Sequence, residues 1–223
     1  MKPGKRGWGI GQRRECLVPT VRGWIALLLV GAAIVVFAAR GVPSFLAVND
    51  PVPVGILVVE GWLPDYALQE TIVQFRRGGY HKLFVTGGPI EQGAPLFAYR
   101  SFAELDAVLL VRYGLDSNDV QAVIAPKVQR DRTYASAVML KNWLREHGMT
   151  ETNITIVSMG AHSRRTRLLF DKAFGKGCKV GVIAIENRDY DPNRWWASSE
   201  GVRTVTGELI AYAYARLLFR PPT

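Results

Sequence analysis

Cysteine is nearly absent from the chain, which has two in 223 residues, Cys16 and Cys178. Two cysteines cannot form the disulfide framework that holds many small secreted domains together. The sequence also lacks HExxH, HxH and Cys-rich spacings, so no motif predicts a metal site. It has no GxSxG motif, no Walker loop and no dinucleotide fingerprint. The enzyme classes that these motifs identify are therefore not indicated.

The composition excludes a disordered chain, because 48% of residues are hydrophobic and only 21% are charged. The length suits one domain with a small appendage. The net charge of +9 is uneven: residues 1–23 hold six basic residues against one acidic, whereas residues 41–223 hold 21 against 18. With so small an excess of basic residues, the body of the protein, residues 41–223, lacks the basic stripe that nucleic-acid binding requires. We therefore predict no nucleic-acid partner.

An uncharged apolar run of 17 residues, 23–39, lies between Arg22 and Arg40. About 17–25 such residues cross a hydrocarbon core, and the apolar residues up to 45 extend the run. We predict a transmembrane helix over 23–45 that binds the lipid bilayer. Because a basic arm over 1–22 precedes the helix, the positive-inside rule places the N-terminus in the cytoplasm. The body then lies on the periplasmic or extracellular side of the inner (cytoplasmic) membrane.

Two other structures could account for the apolar run. A buried core helix would seldom be apolar on every side and follow a basic arm. A cleaved signal peptide is favoured by the small residues Ala38 and Ala39, but the run exceeds the roughly 7–15 apolar residues of such a peptide. Residues 46–53 include Pro51 and Pro53 and are predicted to form a Pro-rich linker.

The body, 54–220, alternates short apolar runs with helical patterns. The runs predicted as strands are 55–59, 82–86, 120–125, 153–158 and 179–185. The predicted helices are 64–77, 101–113, 133–147, 163–174 and 199–219. Apolar strands that alternate with helices indicate a Rossmann-like α/β domain, a doubly wound and mostly parallel five-stranded sheet with helices on both faces.

Ligands of such sheets bind at the carboxyl ends of the strands. The first strand ends in Glu60 and Gly61, and the second ends in Gly87 and Gly88. Glycines there let backbone N–H groups approach a ligand. The alternatives are a simple turn for the glycine pair, and a helix cap or an ion pair for Glu60.

Arg132 and Thr133 follow the third strand, and His162 follows the fourth. Three guanidiniums come directly after this histidine, those of Arg164, Arg165 and Arg167. Cations at a helix N-terminus oppose the helix dipole, so a bound anion is one explanation and a solvated face is the other.

The order of these segments resembles the YdcF-like domain of the ElyC/SanA/YdcF family over about residues 54–218. The resemblance depends on the glycine pair 87–88, the Thr-x-x-x-Ala segment 133–137 and the His-x-x-Arg segment 162–165. Ser136 stands where the family usually has Asn, and Phe102 stands where an acid commonly opens the second helix. The resemblance implies a Rossmann-like bacterial envelope protein linked to cell-wall integrity, without a settled reaction.

Two functions remain open. The first is an envelope enzyme or binding protein for a small anionic, phosphate-bearing intermediate of peptidoglycan or surface-polysaccharide assembly. His162 and Glu60 are then the catalytic acid/base pair, and the ligand-binding residues are Gly61, Gly87, Gly88, Arg132, Thr133 and Arg165. The second is a non-catalytic, membrane-tethered module that contacts envelope proteins. An open polar pocket that joins Glu60, Thr133 and His162 favours the first, and a cleft filled by Trp62 or Trp196 favours the second.

Overall fold

The computed structural model describes residues 18–91, 98–150 and 152–221. The chain divides into two compact units, Met1–Ala39 and Arg40–Thr223. Helix α1, Val21–Leu46, contains the apolar run and is long and apolar enough to cross a membrane. None of its most apolar window is buried inside the protein. Residues 1–17 of the predicted basic arm, with Cys16, lie outside the described residues.

One sheet of five strands forms the centre of the second unit. The strands are β1 Val54–Glu60, β2 Gly79–Gly87, β3 Val120–Ile124, β4 Asn153–Met159 and β5 Lys179–Ile185. Their order is β3-β2-β1-β4-β5, and neighbouring strands pair in parallel. The chain runs outward from β1 to β3 and then returns to the other side of β1. The carboxyl ends of β1 and β4 therefore meet at the switch point of the sheet.

Helices cover both faces of this sheet. They are α2 Asp65–Arg77, α3 Phe102–Arg112, α4 Arg132–Glu146 and α5 Ser163–Phe174, followed by α6 Ser199–Leu217 at the end of the chain. Because side chains of a strand alternate between faces, Leu57 and Val59 pack with α2 and α3, whereas Ile56 and Val58 pack with α4 and α5. The predicted Rossmann-like α/β fold is confirmed.

The segment expected as a linker, residues 46–53, packs along the sheet. Asp50 forms an antiparallel bridge with Val182 of β5. Val52 is buried, and its N–H donates to the Thr155 hydroxyl at 2.9 Å while that hydroxyl donates to its carbonyl at 2.8 Å. The prolines keep the segment extended, and these tertiary contacts make it part of the body.

Replacing Thr155 by Val should lower the free energy of unfolding by about 1–3 kcal/mol, because two buried backbone groups of Val52 lose their partner. The measurement is denaturation of the full-length protein in detergent. Thr150→Val is the matched control, since Thr150 is exposed in a loop and should change stability by less than about 0.5 kcal/mol. Equal stability of the two variants would contradict the packing of residues 46–53 against the sheet.

Candidate functional site

Glu60 and His162 meet at the switch point of the sheet. Glu60 is the last residue of β1 and is buried. His162 closes the short 3-10 helix Gly160–His162 that connects β4 to α5. Its Nε2 lies 3.2 Å from Glu60 Oε1, and the Thr166 hydroxyl lies 3.1 and 3.2 Å from the two Glu60 oxygens. The fold thus joins the two residues that the sequence suggested as an acid/base pair.

A second carboxylate, Glu208 of α6, contacts the other side of the imidazole. Its Oε1 lies 2.9 Å from His162 Nδ1. Arg165 donates to the same carboxylate through Nε at 2.8 Å and through Nη2 at 3.0 Å. Sequence reasoning missed Glu208. One signal was available, because Glu208 is the only acidic residue in the stretch 201–219.

The two carboxylates keep His162 charged. Burial by itself lowers the pKa of His162, but the charge of Glu60 and the hydrogen bonds with Glu208 and Glu60 raise it to about 9. Burial likewise raises the pKa of Glu208, but the hydrogen bonds from His162 and Arg165 prevail and lower it to about 2. At neutral pH both ring nitrogens therefore carry protons and donate to carboxylates. Arg165 Nη2, which lies 2.8 Å from Nδ1, then donates to Glu208 instead of the ring.

All eight predicted site residues line one cavity of about 610 Å³, a volume usual for a small-molecule site. The residues are Glu60, Gly61, Gly87, Gly88, Arg132, Thr133, His162 and Arg165. Trp62 also lines the cavity and packs edge-on against the His162 ring, with centroids 5.3 Å apart. Trp62 does not fill the cleft, and Trp196 is not among the lining residues. The cavity thus joins Glu60, Thr133 and His162 in one open space that polar and apolar groups line in equal measure.

Basic side chains outnumber acidic ones around this cavity. Four Lys or Arg residues line it against three Asp or Glu residues. Lys127 pairs with Glu91 at 3.7 Å, and Arg165 is held by Glu208. Arg130 and Arg132 are exposed and form no ion pair with any described residue. These two guanidiniums are available to an anion.

The N-terminus of α4 lies at the same cavity. Its N-cap residue, Asp131, has left-handed backbone angles, φ 56° and ψ 36°, and its side chain makes no capping hydrogen bond. Thr133 and Ser136 of the first turns line the cavity. Unsatisfied N–H groups and the positive end of the helix dipole favour a negative charge there.

Two of the three glycines have a packing role. A Cβ on Gly61 would lie 2.9 Å from the Phe102 carbonyl carbon, and one on Gly87 would lie 2.9 Å from Ala103 N. A side chain at either position would therefore collide with the start of α3, and glycine lets that backbone pack closely. The N–H of Gly61 donates to the Thr86 carbonyl, so this donor is already used. Gly88 faces open space, with nothing within 4 Å of a built Cβ, and is the glycine best placed to approach a ligand.

Arg164 and Arg167 do not line the cavity. Arg164 donates to the Phe45 carbonyl, and its guanidinium lies 4.1 Å from the centre of the Phe45 ring. Arg167 donates to the Val180 carbonyl at 3.1 Å and pairs with Asp50 at 2.8 Å. Arg164 thus contacts the last turn of α1, and Arg167 contacts the segment that follows α1. Of the three guanidiniums only that of Arg165 lines the cavity, and its anionic partner within the described residues is Glu208.

Within the described ranges, no group of three His, Cys, Asp or Glu side chains could hold a metal ion. Comparisons of the chain with protein-family models, with curated proteins and with solved structures find no match. The resemblance to the ElyC/SanA/YdcF family therefore stays a prediction.

The ionic network predicts how stability depends on pH. Because folding raises the pKa of His162 from 6.5 to about 9, its stabilisation is present below pH 6.5 and is lost as the pH rises through 9. Because folding lowers the pKa of Glu208 from 4.5 to about 2, its stabilisation is present above pH 4.5 and is lost as the pH falls through 2. Glu208→Gln should lower the pKa of His162 by about 1 to 3, as measured by NMR titration of the imidazole.

Glu208→Gln should also reduce the loss of stability between pH 6.5 and 9. His147→Gln is the matched control, because His147 is exposed at the end of α4 and contacts neither carboxylate. A His162 signal that titrates near pH 6.5 in the wild type would contradict the charged ring.

Proposed function

We propose that the protein is a membrane-anchored member of the ElyC/SanA/YdcF family that binds and processes a small anionic intermediate of cell-envelope assembly. Peptidoglycan and surface-polysaccharide synthesis use such phosphate-bearing intermediates. The observation that carries the proposal is the cavity at the switch point. It places two guanidiniums without ion pairs among the described residues, those of Arg130 and Arg132, beside a helix N-terminus and a charged histidine. Charge-assisted hydrogen bonds from such groups select an anion.

His162 serves in this proposal as a proton donor. It is protonated at neutral pH, and its Nε2 proton lies between the ring and Glu60 Oε1. A ligand oxygen that reaches Nε2 can take this proton, which leaves a neutral imidazole. The ring then regains a proton from solvent, and the Glu60 carboxylate beside Nε2 stabilises the protonated ring. Glu208 and Arg165 act as positioning residues, because they hold the opposite nitrogen of the ring and keep its plane fixed.

One observation favours the second candidate, a non-catalytic tethered module. Glu60, His162, Arg165 and Glu208 satisfy one another without any ligand, as a structural ionic network would. In that case the anion site at α4 would bind a ligand without turnover.

Binding tests the anion site. Arg132→Gln should weaken the binding of inorganic phosphate by about ten-fold, because one charge-assisted hydrogen bond is lost. Calorimetry on the full-length protein in detergent measures this, and mass spectrometry identifies small molecules that co-purify with it. Arg145→Gln is the matched control, since Arg145 is exposed at the other end of α4.

A His162→Gln variant separates the two candidates. Turnover of the identified ligand by the wild type that is lost in the variant, with binding retained, supports the enzyme. Binding by the wild type without turnover contradicts the enzyme and supports the module, and unchanged turnover in the variant contradicts the role of His162. Equal phosphate affinity of the Arg132 and Arg145 variants would contradict the anion site.

The membrane orientation is also part of the proposal: cytoplasmic N-terminus, with the body on the periplasmic side of the inner membrane. It is supported by the basic residues that precede α1. Alkaline phosphatase fused after Thr223 should be active, whereas green fluorescent protein fused there should be dark. Fusions at residue 20 should give the reverse. A fluorescent fusion at Thr223 would contradict the orientation.

A further inference from the structure

Helix α6 exposes an apolar surface on the side that faces away from the body. We define the outer face of α6 as the residues Val202, Thr206, Leu209, Ile210, Ala213, Leu217 and Leu218. Ile210, Leu217 and Leu218 are 71%, 78% and 71% exposed. The opposite side of the helix carries Val205 and Ala215, which are buried. A helix that is apolar on both sides normally has a partner on both, and no described residue covers the outer face.

The end of α1 packs against this same helix. Phe45 meets Tyr212 of α6 edge to face, with centroids 5.6 Å apart. Leu46 is fully buried in a cluster with Val205. Phe45 follows Ala39, the last residue of the uncharged run, by six residues, which is about 9 Å of helix. Helix α6 is therefore tied to the point where the chain leaves the apolar span.

Groups typical of a membrane interface surround α6. The Arg40 guanidinium, the first charge after the apolar run, lies 5.6 Å from the centre of the Trp196 ring. Trp196 is 42% exposed and comes three residues before α6 begins. Arg216 and Arg220 are exposed beside Leu217 and Leu218, and no acidic residue follows Glu208 in the chain. Exposed tryptophan and arginine beside apolar residues suit the headgroup region, and arginines favour anionic lipids.

We propose that the outer face of α6 docks onto the surface of the lipid bilayer that anchors α1. The bilayer is the occupant that the chain itself supplies, because α6 contacts Phe45, which follows the apolar run by only six residues. Arg216 and Arg220, at the C-terminal end of α6, complement a negatively charged lipid surface. No residue of the outer face indicates a particular protein partner. The inference depends on the membrane anchor and is independent of the proposed reaction.

Depth-dependent quenching tests the docking. The full-length protein, with Cys16→Ser and Cys178→Ser, receives a bimane label at Ile210→Cys or Leu217→Cys and is placed in vesicles of phosphatidylcholine and phosphatidylglycerol. Brominated phosphatidylcholine should quench both labels several-fold more than a label at Gln69→Cys on α2 or Arg145→Cys on α4. All four positions are exposed, so the labels do not disturb the core.

Equal quenching at the four positions would overturn the proposal. Labels at 210 and 217 that brominated lipid does not reach, but that are also shielded from iodide in water, would indicate a protein partner and would equally overturn it. Because the experiment does not involve phosphate binding, its failure is distinguishable from failure of the proposed function.

Discussion

The protonated imidazole of His162 between two carboxylates is the interaction on which the rest of the site depends. It connects three separate parts of the fold: the end of β1 through Glu60, the connection from β4 to α5, and α6 through Glu208. Breaking such a buried ionic group by removing one partner leaves an uncompensated charge and is strongly destabilising. The network therefore does two things at once, since it fixes α6 on the body and gives the cavity a cation with a proton to donate.

The side of the cavity that we propose binds an anion has a different origin. Arg130 comes from the loop after β3, and Arg132 is the first residue of α4, so both lie at the N-terminus of that helix. Neither guanidinium takes part in the His162 network. The cavity thus combines a rigid, internally balanced half with an exposed, positively charged half. The proposed function uses both halves: the His162 network would hold the proton donor in place, and the positive charge of Arg130 and Arg132 would attract an anionic ligand.

Helix α6 links this site to residues Phe45 and Leu46 at the end of α1. Its inner side carries Glu208, which positions His162, and its flank packs against Phe45 at the end of α1. Arg164 and Arg167 add contacts from α5 to Phe45 and to Asp50. Residues 45–50 are therefore held by the same helices that build the cavity.

Local patterns in the sequence determined the apolar span, the alternation of strands and helices, and the strand ends that carry polar residues. These depend on residues close in the chain, which is why Glu60, Arg132 and His162 could all be placed at one edge of the sheet. Only the tertiary structure decided that Glu208 pairs with His162, and that Arg164 and Arg167 contact the end of α1 and the segment after it. It also decided that α3 packs too closely against Gly61 and Gly87 for a side chain at either position. Each of these depends on contacts between residues distant in sequence, and a linear pattern of residue types does not record which distant groups meet.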